Sequence, residues 1–97
     1  TALTPTAPIG LTATGGTSQI VLNWTAPTSD GGSSVTNYKI YRGISSGSEI
    51  FLTTIGNILT YTDTDIINGT TYYYKVSAVN GTGEGSLSNE ASAVTLN

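Results

Sequence analysis

No stretch of this chain repeats its apolar residues at helical spacing; where they recur, they alternate with polar ones. Leu11 and Ala13, then Ile20, Leu22 and Trp24, then Tyr38 and Ile40, then Tyr72, Tyr74, Val76 and Ala78 follow one another at every second position. Side chains alternate across an extended strand, so this spacing gives each segment one apolar face and one polar face. Between the segments lie "TGGTS" at 14–18, "APTSDGGSS" at 26–34, "GISSGS" at 43–48, "ING" at 67–69 and "NGTGEGS" at 80–86, all turn or loop chemistry. The pattern predicts strands near 9–14, 18–25, 35–42, 49–55, 59–63, 71–80 and 88–95. Short strands at this spacing suit an all-β sandwich of seven antiparallel strands in two sheets. Trp24, the single tryptophan, shares the inward face with Ile20 and Leu22, and its burial is expected to contribute about 2–3 kcal/mol.

With 97 residues the chain is long enough for one domain that buries roughly 60–70 % of its unfolded surface. "TALTPTAP" (1–8) cannot continue as a helix past its prolines and reads as an extended leader or linker, with the domain proper at 9–97. There is no cysteine and no histidine. Disulfides, thiolate metal sites, cysteine nucleophiles and the commonest neutral-pH acid/base group are therefore excluded, and no cofactor is expected. Only Lys39, Arg42 and Lys75 are basic, against six carboxylates, for a net charge of -3, so nucleic acid is not an expected partner. No apolar run reaches the length of a membrane span, and no basic stretch precedes an apolar run as in a signal peptide. A surface built from Thr, Ser, Asn and Gly suits an extracellular module cut from something longer.

Pro8 and Leu11 at the first strand, Trp24 followed by Pro27, "YKIYR" from Tyr38 to Arg42, and "INGTTYYYKVSAVNGTGEGSLS" from Ile67 to Ser88 together resemble a fibronectin type III domain. The resemblance runs from Pro8 to Leu96 and implies an immunoglobulin-like sandwich. It places Ile66, Asn68, Gly69, Thr70 and Tyr72 at the leucine-like residue, the turn and the tyrosine of the family's tyrosine corner. Asn68 stands where many members have proline, a change that Asn-Gly turn chemistry tolerates. Some members carry an Arg-Gly-Asp adhesion tripeptide in the loop matching Asn80–Gly85; this chain lacks it, so integrin binding of that kind is not implied.

Several groups are candidates for chemistry. Asp63 and Asp65 have the i, i+2 spacing of a calcium-binding or acid/base pair, but each enters a turn where capping backbone N–H groups accounts for it. Serines abound, yet a triad lacks its histidine, and Lys39 and Lys75 fall on outward positions rather than beside a buried nucleophile. "DGG" at 30–32 and "NGTGEG" at 80–85 match no phosphate loop. Asn23, Asn68 and Asn80 each begin an Asn-X-Thr glycosylation pattern. The sharpest candidate follows from the resemblance: paired third and sixth strands bring Lys39 and Tyr41 near Tyr73 and Lys75, an aromatic and basic patch suited to a sugar ring or a protein. The alternative is cross-strand stabilisation, each lysine stem covering a tyrosine face.

The expected role is a non-catalytic, monomeric spacer or interaction module of a larger extracellular or cell-surface protein, such as a polysaccharide-degrading enzyme or an adhesin. Its partners would then be neighbouring domains, with protein or polysaccharide as further candidates. The competing expectation is direct carbohydrate or protein binding, as in an engineered scaffold, through the Tyr41/Tyr73 face or the loops.

Overall fold

The computed structural model describes residues 3–95. Eight strands form among them: β1 (Ile9–Gly16), β2 (Gln19–Thr25), β3 (Asn37–Gly43), β4 (Ile50–Gly56), β5 (Thr60–Asp63), β6 (Tyr72–Val79), β7 (Glu84–Leu87) and β8 (Ala91–Ala93). One sheet has three strands in the order β1-β2-β5; the other has five, ordered β4-β3-β6-β7 with β8 also on β6. Every pairing is antiparallel.

The period of two decides which side chains fill the gap between the sheets. Ile20, Leu22 and Trp24 from β2 meet Tyr38 and Ile40 from β3 and Tyr72, Tyr74, Val76 and Ala78 from β6 in one buried cluster with Leu11. The Trp24 and Tyr38 rings lie 5.4 Å apart at a 60° tilt, a packing aromatic pairs favour. Close approach of chain segments also matters: a Cβ at Gly15 would sit 1.8 Å from the Val94 carbonyl oxygen, so only glycine lets the segment after β8 close over β1.

The end of the chain differs from the expected single strand at 88–95. Asn80 and Gly83 exchange both main-chain hydrogen bonds (3.1 and 3.2 Å), closing a tight turn that lets pairing resume at Glu84. The ladder then breaks at Ser88–Glu90, where side chains add to the last main-chain bond, from the Ser88 N–H to the Val76 carbonyl (2.7 Å). The Ser88 hydroxyl accepts the Val76 N–H (2.9 Å). The Asn89 amide accepts the Leu11 N–H and donates to the Leu11 carbonyl (3.0 Å each), crossing to the other sheet as a peptide unit would. The strand expected at 88–95 is thus confined to the short β8, β7 forms in the segment read as a loop at 80–86, and the sandwich has eight strands rather than seven. The expected end at Leu96 lies outside the described residues.

Residues 3–8 of the leader run along the sandwich, with Pro5 and Pro8 buried. Leu3 N–H donates to Gly31 (2.9 Å) and Thr6 N–H to Ser29 (3.0 Å). Along β6, Tyr72 is level with Ala93, and Val79 is level with Asn37. Leu3 contacts the turns at the Val79 end, while Thr95 accepts the Gly69 N–H (2.9 Å) at the Tyr72 end. The chain therefore enters at one pole and leaves at the other.

Candidate functional site

Lys39, Tyr41, Tyr73 and Lys75 all lie half-buried on the outer face of the larger sheet. The register brings only some of them together. Tyr41 sits opposite Lys75, whereas Lys39 faces Ser77 and Tyr73 faces Gly43, at opposite ends of the strip. The organising group is Glu84 on β7, in a segment whose glycines read as loop. Its carboxylate accepts hydrogen bonds from the Tyr41 and Ser77 hydroxyls, and Lys39 Nζ lies 3.6 Å away.

These contacts set the electrostatics. Burial together with the Glu84 carboxylate pushes the Tyr41 phenol up to about 12. Burial alone would raise the acid range of Glu84, but its hydrogen bonds from Ser77 and Tyr41 and the charge of Lys39 outweigh that and hold it low. The Tyr41 ring meets Phe51 of β4 edge-on at 5.9 Å, and Lys39 Nζ lies 5.9 Å from the Phe51 ring centre. Lys75 is 4.0 Å from Glu49. The tyrosines therefore do not form one flat platform: Tyr41 is fixed by Glu84 and edge-packed, and the most open aromatic surface is Phe51, 55 % exposed. The apolar run Ile50–Phe51–Leu52 has no alternation to show which of its side chains faces out, so the sequence carried no signal for Phe51.

A second polar cluster lies inward. Tyr38, Ile40 and Arg42 share one face of β3, so the single arginine points between the sheets and needs a carboxylate. Asp63, 1 % exposed at the end of β5, supplies it at 2.9 Å. The same Asp63 oxygen accepts the Tyr74 hydroxyl (2.7 Å), and the other accepts the Asp65 N–H (3.1 Å). Arg42 also donates to the Asp65 carbonyl (2.8 Å) and lies over the Tyr72 ring at 5.2 Å. Burial and the Asp63 carboxylate drive the Tyr74 phenol far above its ordinary range. Asp63 is a structural anion that caps its own turn, and Asp65 joins through its backbone. Among the described residues no three metal-ligating side chains converge.

Tyr72, 6 % exposed, accepts the Ile67 N–H through its hydroxyl (2.9 Å), and the partly buried Ile66 packs beneath. Tyr72→Phe is expected to destabilise by about 1–3 kcal/mol, because it leaves that N–H unpaired. Tyr73→Phe is expected to change little. Denaturant melts of both variants check this; the reverse order would mean that the facing of β6 is off by one residue.

Between the 43–48 turn and β4 lies a groove of about 510 Å³, lined by Ile44, Ile50, Phe51 and Leu52 with Arg42 and Tyr72. Of the glycosylation patterns, Asn23 and Asn68 are exposed, whereas Asn80 is 4 % exposed and both ends of its amide are hydrogen-bonded. A glycan cannot be joined to Asn80 in the folded chain.

Comparison with known proteins agrees with this geometry. The sequence profile of the fibronectin type III domain matches residues 5–94, beginning inside the segment read as leader. The chain is 36 % identical over 92 residues to an amylopullulanase of Thermoanaerobacter thermohydrosulfuricus, a match covering 93 % of this chain and 6 % of that protein. It is 36 % identical over 94 residues to exoglucanase B of Cellulomonas fimi, covering 94 % of this chain and 8 % of the relative. The chain thus spans less than a tenth of either relative's length. An Fn3-like protein from Clostridium thermocellum superposes with a TM-score of 0.81 at 32 % identity, covering 98 % of this chain and 97 % of its own. A structure of titin kinase and its flanking domains gives 0.87 at 26 % identity, over 98 % of this chain and 18 % of that one. Two antiparallel sheets, a tyrosine hydroxyl tying down the turn before its strand, and a profile match over most of the length converge: the chain belongs to the fibronectin type III family.

Proposed function

We propose that the chain is a non-catalytic spacer module of a larger secreted polysaccharide-degrading protein, with its neighbouring domains as its partners. The observation that carries this reading is that nearly the whole chain aligns to less than a tenth of an amylopullulanase and of an exoglucanase. Entry and exit at opposite poles suit a bead that sets distance and orientation between neighbours. The polar clusters support a structural rather than a chemical role. Asp63 is neutralised by Arg42, Glu84 is engaged by two hydroxyls and Lys39, and neither carboxylate faces an open nucleophile or acid/base partner.

Direct binding through Lys39, Tyr41, Tyr73 and Lys75 is the second reading, favoured by the open Phe51 ring beside that strip. NMR titration of the domain with oligomers of starch, cellulose, chitin and xylan separates the two. The spacer reading expects no hydrolysis and no binding tighter than millimolar, which is worth only about 4 kcal/mol. Saturable shifts at micromolar ligand, confined to Lys39, Tyr41, Phe51, Tyr73 and Lys75, would establish the binding module instead.

A further inference from the structure

The three most exposed isoleucines among the described residues gather at one pole of the sandwich. Ile44 is 71 %, Ile50 73 % and Ile67 71 % exposed, and the open Phe51 ring adjoins Ile50. β4 begins level with Arg42, and Gly43 is level with Tyr73, so the 43–48 turn and the start of β4 lie at the Tyr72 end of β6, where the chain leaves. Ile44, Ile50 and Phe51 line the groove together with Tyr72. The Tyr72 hydroxyl accepts the Ile67 N–H, and Gly69 of the same turn donates to Thr95. That turn, closed by the Thr70 N–H on the Ile67 carbonyl (3.2 Å), thus joins the apolar groove to the exit point. Exposed singly, such side chains need no explanation; four at one end of a small domain mark a contact surface.

The size of the surface decides what kind of partner it can hold. A protein captured from free solution needs about 20–30 residues a side, roughly 800 Å² from each partner. One turn, one strand end and a groove between them cannot supply that. A neighbour on the same chain needs far less, because a short tether holds it at an effective concentration on the order of millimolar. Interfaces between domains of one chain accordingly begin at about 600 Å² and are more polar. The rim supplies the polar part, and it is acidic. Asp65, whose carbonyl accepts from Arg42, stands on one side; Glu90, which accepts the Ser46 hydroxyl (2.7 Å) and the Gly47 N–H (2.9 Å), stands on the other. Neither carboxylate forms an ion pair among the described residues, since Arg42 is committed to Asp63, Lys75 to Glu49 and Lys39 to Glu84.

We propose, resting on the reading of the chain as a module between neighbours, that its exit pole seats the domain that follows in the parent chain. That domain presents a small apolar patch to Ile44, Ile50, Phe51 and Ile67, with a lysine or arginine on its rim facing Asp65 and Glu90. A domain tethered at Thr95 meets the 67–70 turn first, and the groove is its nearest apolar surface. Seated there, the neighbour is fixed in angle as well as in distance. Released, it is held by its linker alone.

The test compares, by methyl and amide NMR, this chain alone with the same chain extended through the next domain of its reading frame. Extension is expected to shift the methyls of Ile44, Ile50 and Ile67 and the ring of Phe51, and the two domains should tumble with one correlation time. The double variant Ile44→Ser, Ile50→Ser should return the remaining resonances to their values in the chain alone and separate the two correlation times. Both side chains face solvent, so the Trp24 and Tyr38 resonances of the core should not move and serve as the control for folding. An extended chain without shifts at these four residues, or with shifts confined to the entry pole, overturns the seat and leaves a spacer that sets distance only. So does an extended double variant that keeps its single correlation time. A reading frame with no domain after this one removes both the seat and the neighbour that the spacer reading requires on this side. Concentration-dependent shifts of the same residues in the chain alone at micromolar protein would assign the surface to a second copy and overturn the proposal.

Discussion

Asp63→Ala is expected to destabilise the domain by about 3–5 kcal/mol, the usual consequence of removing one partner of a buried ion pair. Three groups lose their acceptor together: the Arg42 guanidinium, the Tyr74 hydroxyl and the Asp65 N–H. Tyr74 has no exposed surface, and only 21 % of the Arg42 side chain reaches water, so neither can regain full hydration without opening the sandwich. Tyr74→Phe is the informative companion. It removes one hydroxyl while leaving the charge pair intact, and should cost only about 1–2 kcal/mol. Guanidinium denaturation of both variants at constant m-value measures the difference. A loss below about 1 kcal/mol for Asp63→Ala would show that Arg42 swings into solvent and that the pair contributes little.

The same cluster shows how far the sequence could be read. Alternation through Tyr38, Ile40 and Arg42 points the arginine inward by the rule that points Tyr72 and Tyr74 inward, so a buried partner for Arg42 was implied by the strand period. Which carboxylate answers it was not, because Asp63 comes from the other sheet and no local pattern specifies contacts across the core. Lys39, Tyr41, Tyr73 and Lys75 were placed correctly on an outer face by period alone, but their order along that face depends on register, and register is set by turn geometry. β7 was obscured for a different reason. "GTGEGS" has the composition of a loop, and its strand conformation comes from the Asn80–Gly83 turn docking it on β6. The break between β7 and β8 is less legible still, since Ser88 and Asn89 stand in for main-chain partners and nothing in their spacing announces it.

Asn80→Ala is the other change expected to have a large effect, about 2–4 kcal/mol, because one nearly buried amide joins three segments distant in sequence. Its Nδ2 donates to the carbonyls of Leu3 (2.8 Å) and Asp30 (2.7 Å), and its Oδ1 accepts the N–H groups of Thr82 (2.8 Å) and Gly83 (3.1 Å). Alanine would strip these partners from the Leu3 and Asp30 carbonyls and the Thr82 N–H, while the Gly83 N–H keeps its bond to the main-chain carbonyl of residue 80. Asn80→Asp separates the two halves of the amide: it keeps both acceptor bonds that shape the turn, loses both donor bonds, and aims a carboxylate at two carbonyl oxygens. If the leader is held by this residue, Asn80→Asp should destabilise almost as much as alanine. Hydrogen exchange should then speed up at Leu3 and Thr6, whose N–H groups bond to the same 29–31 turn. Full stability in Asn80→Asp would show that only the turn matters and that residues 3–6 contribute nothing to the fold. The distinction bears on the spacer reading, because a leader fixed at the entry pole transmits orientation to a preceding domain, whereas a free leader transmits only distance.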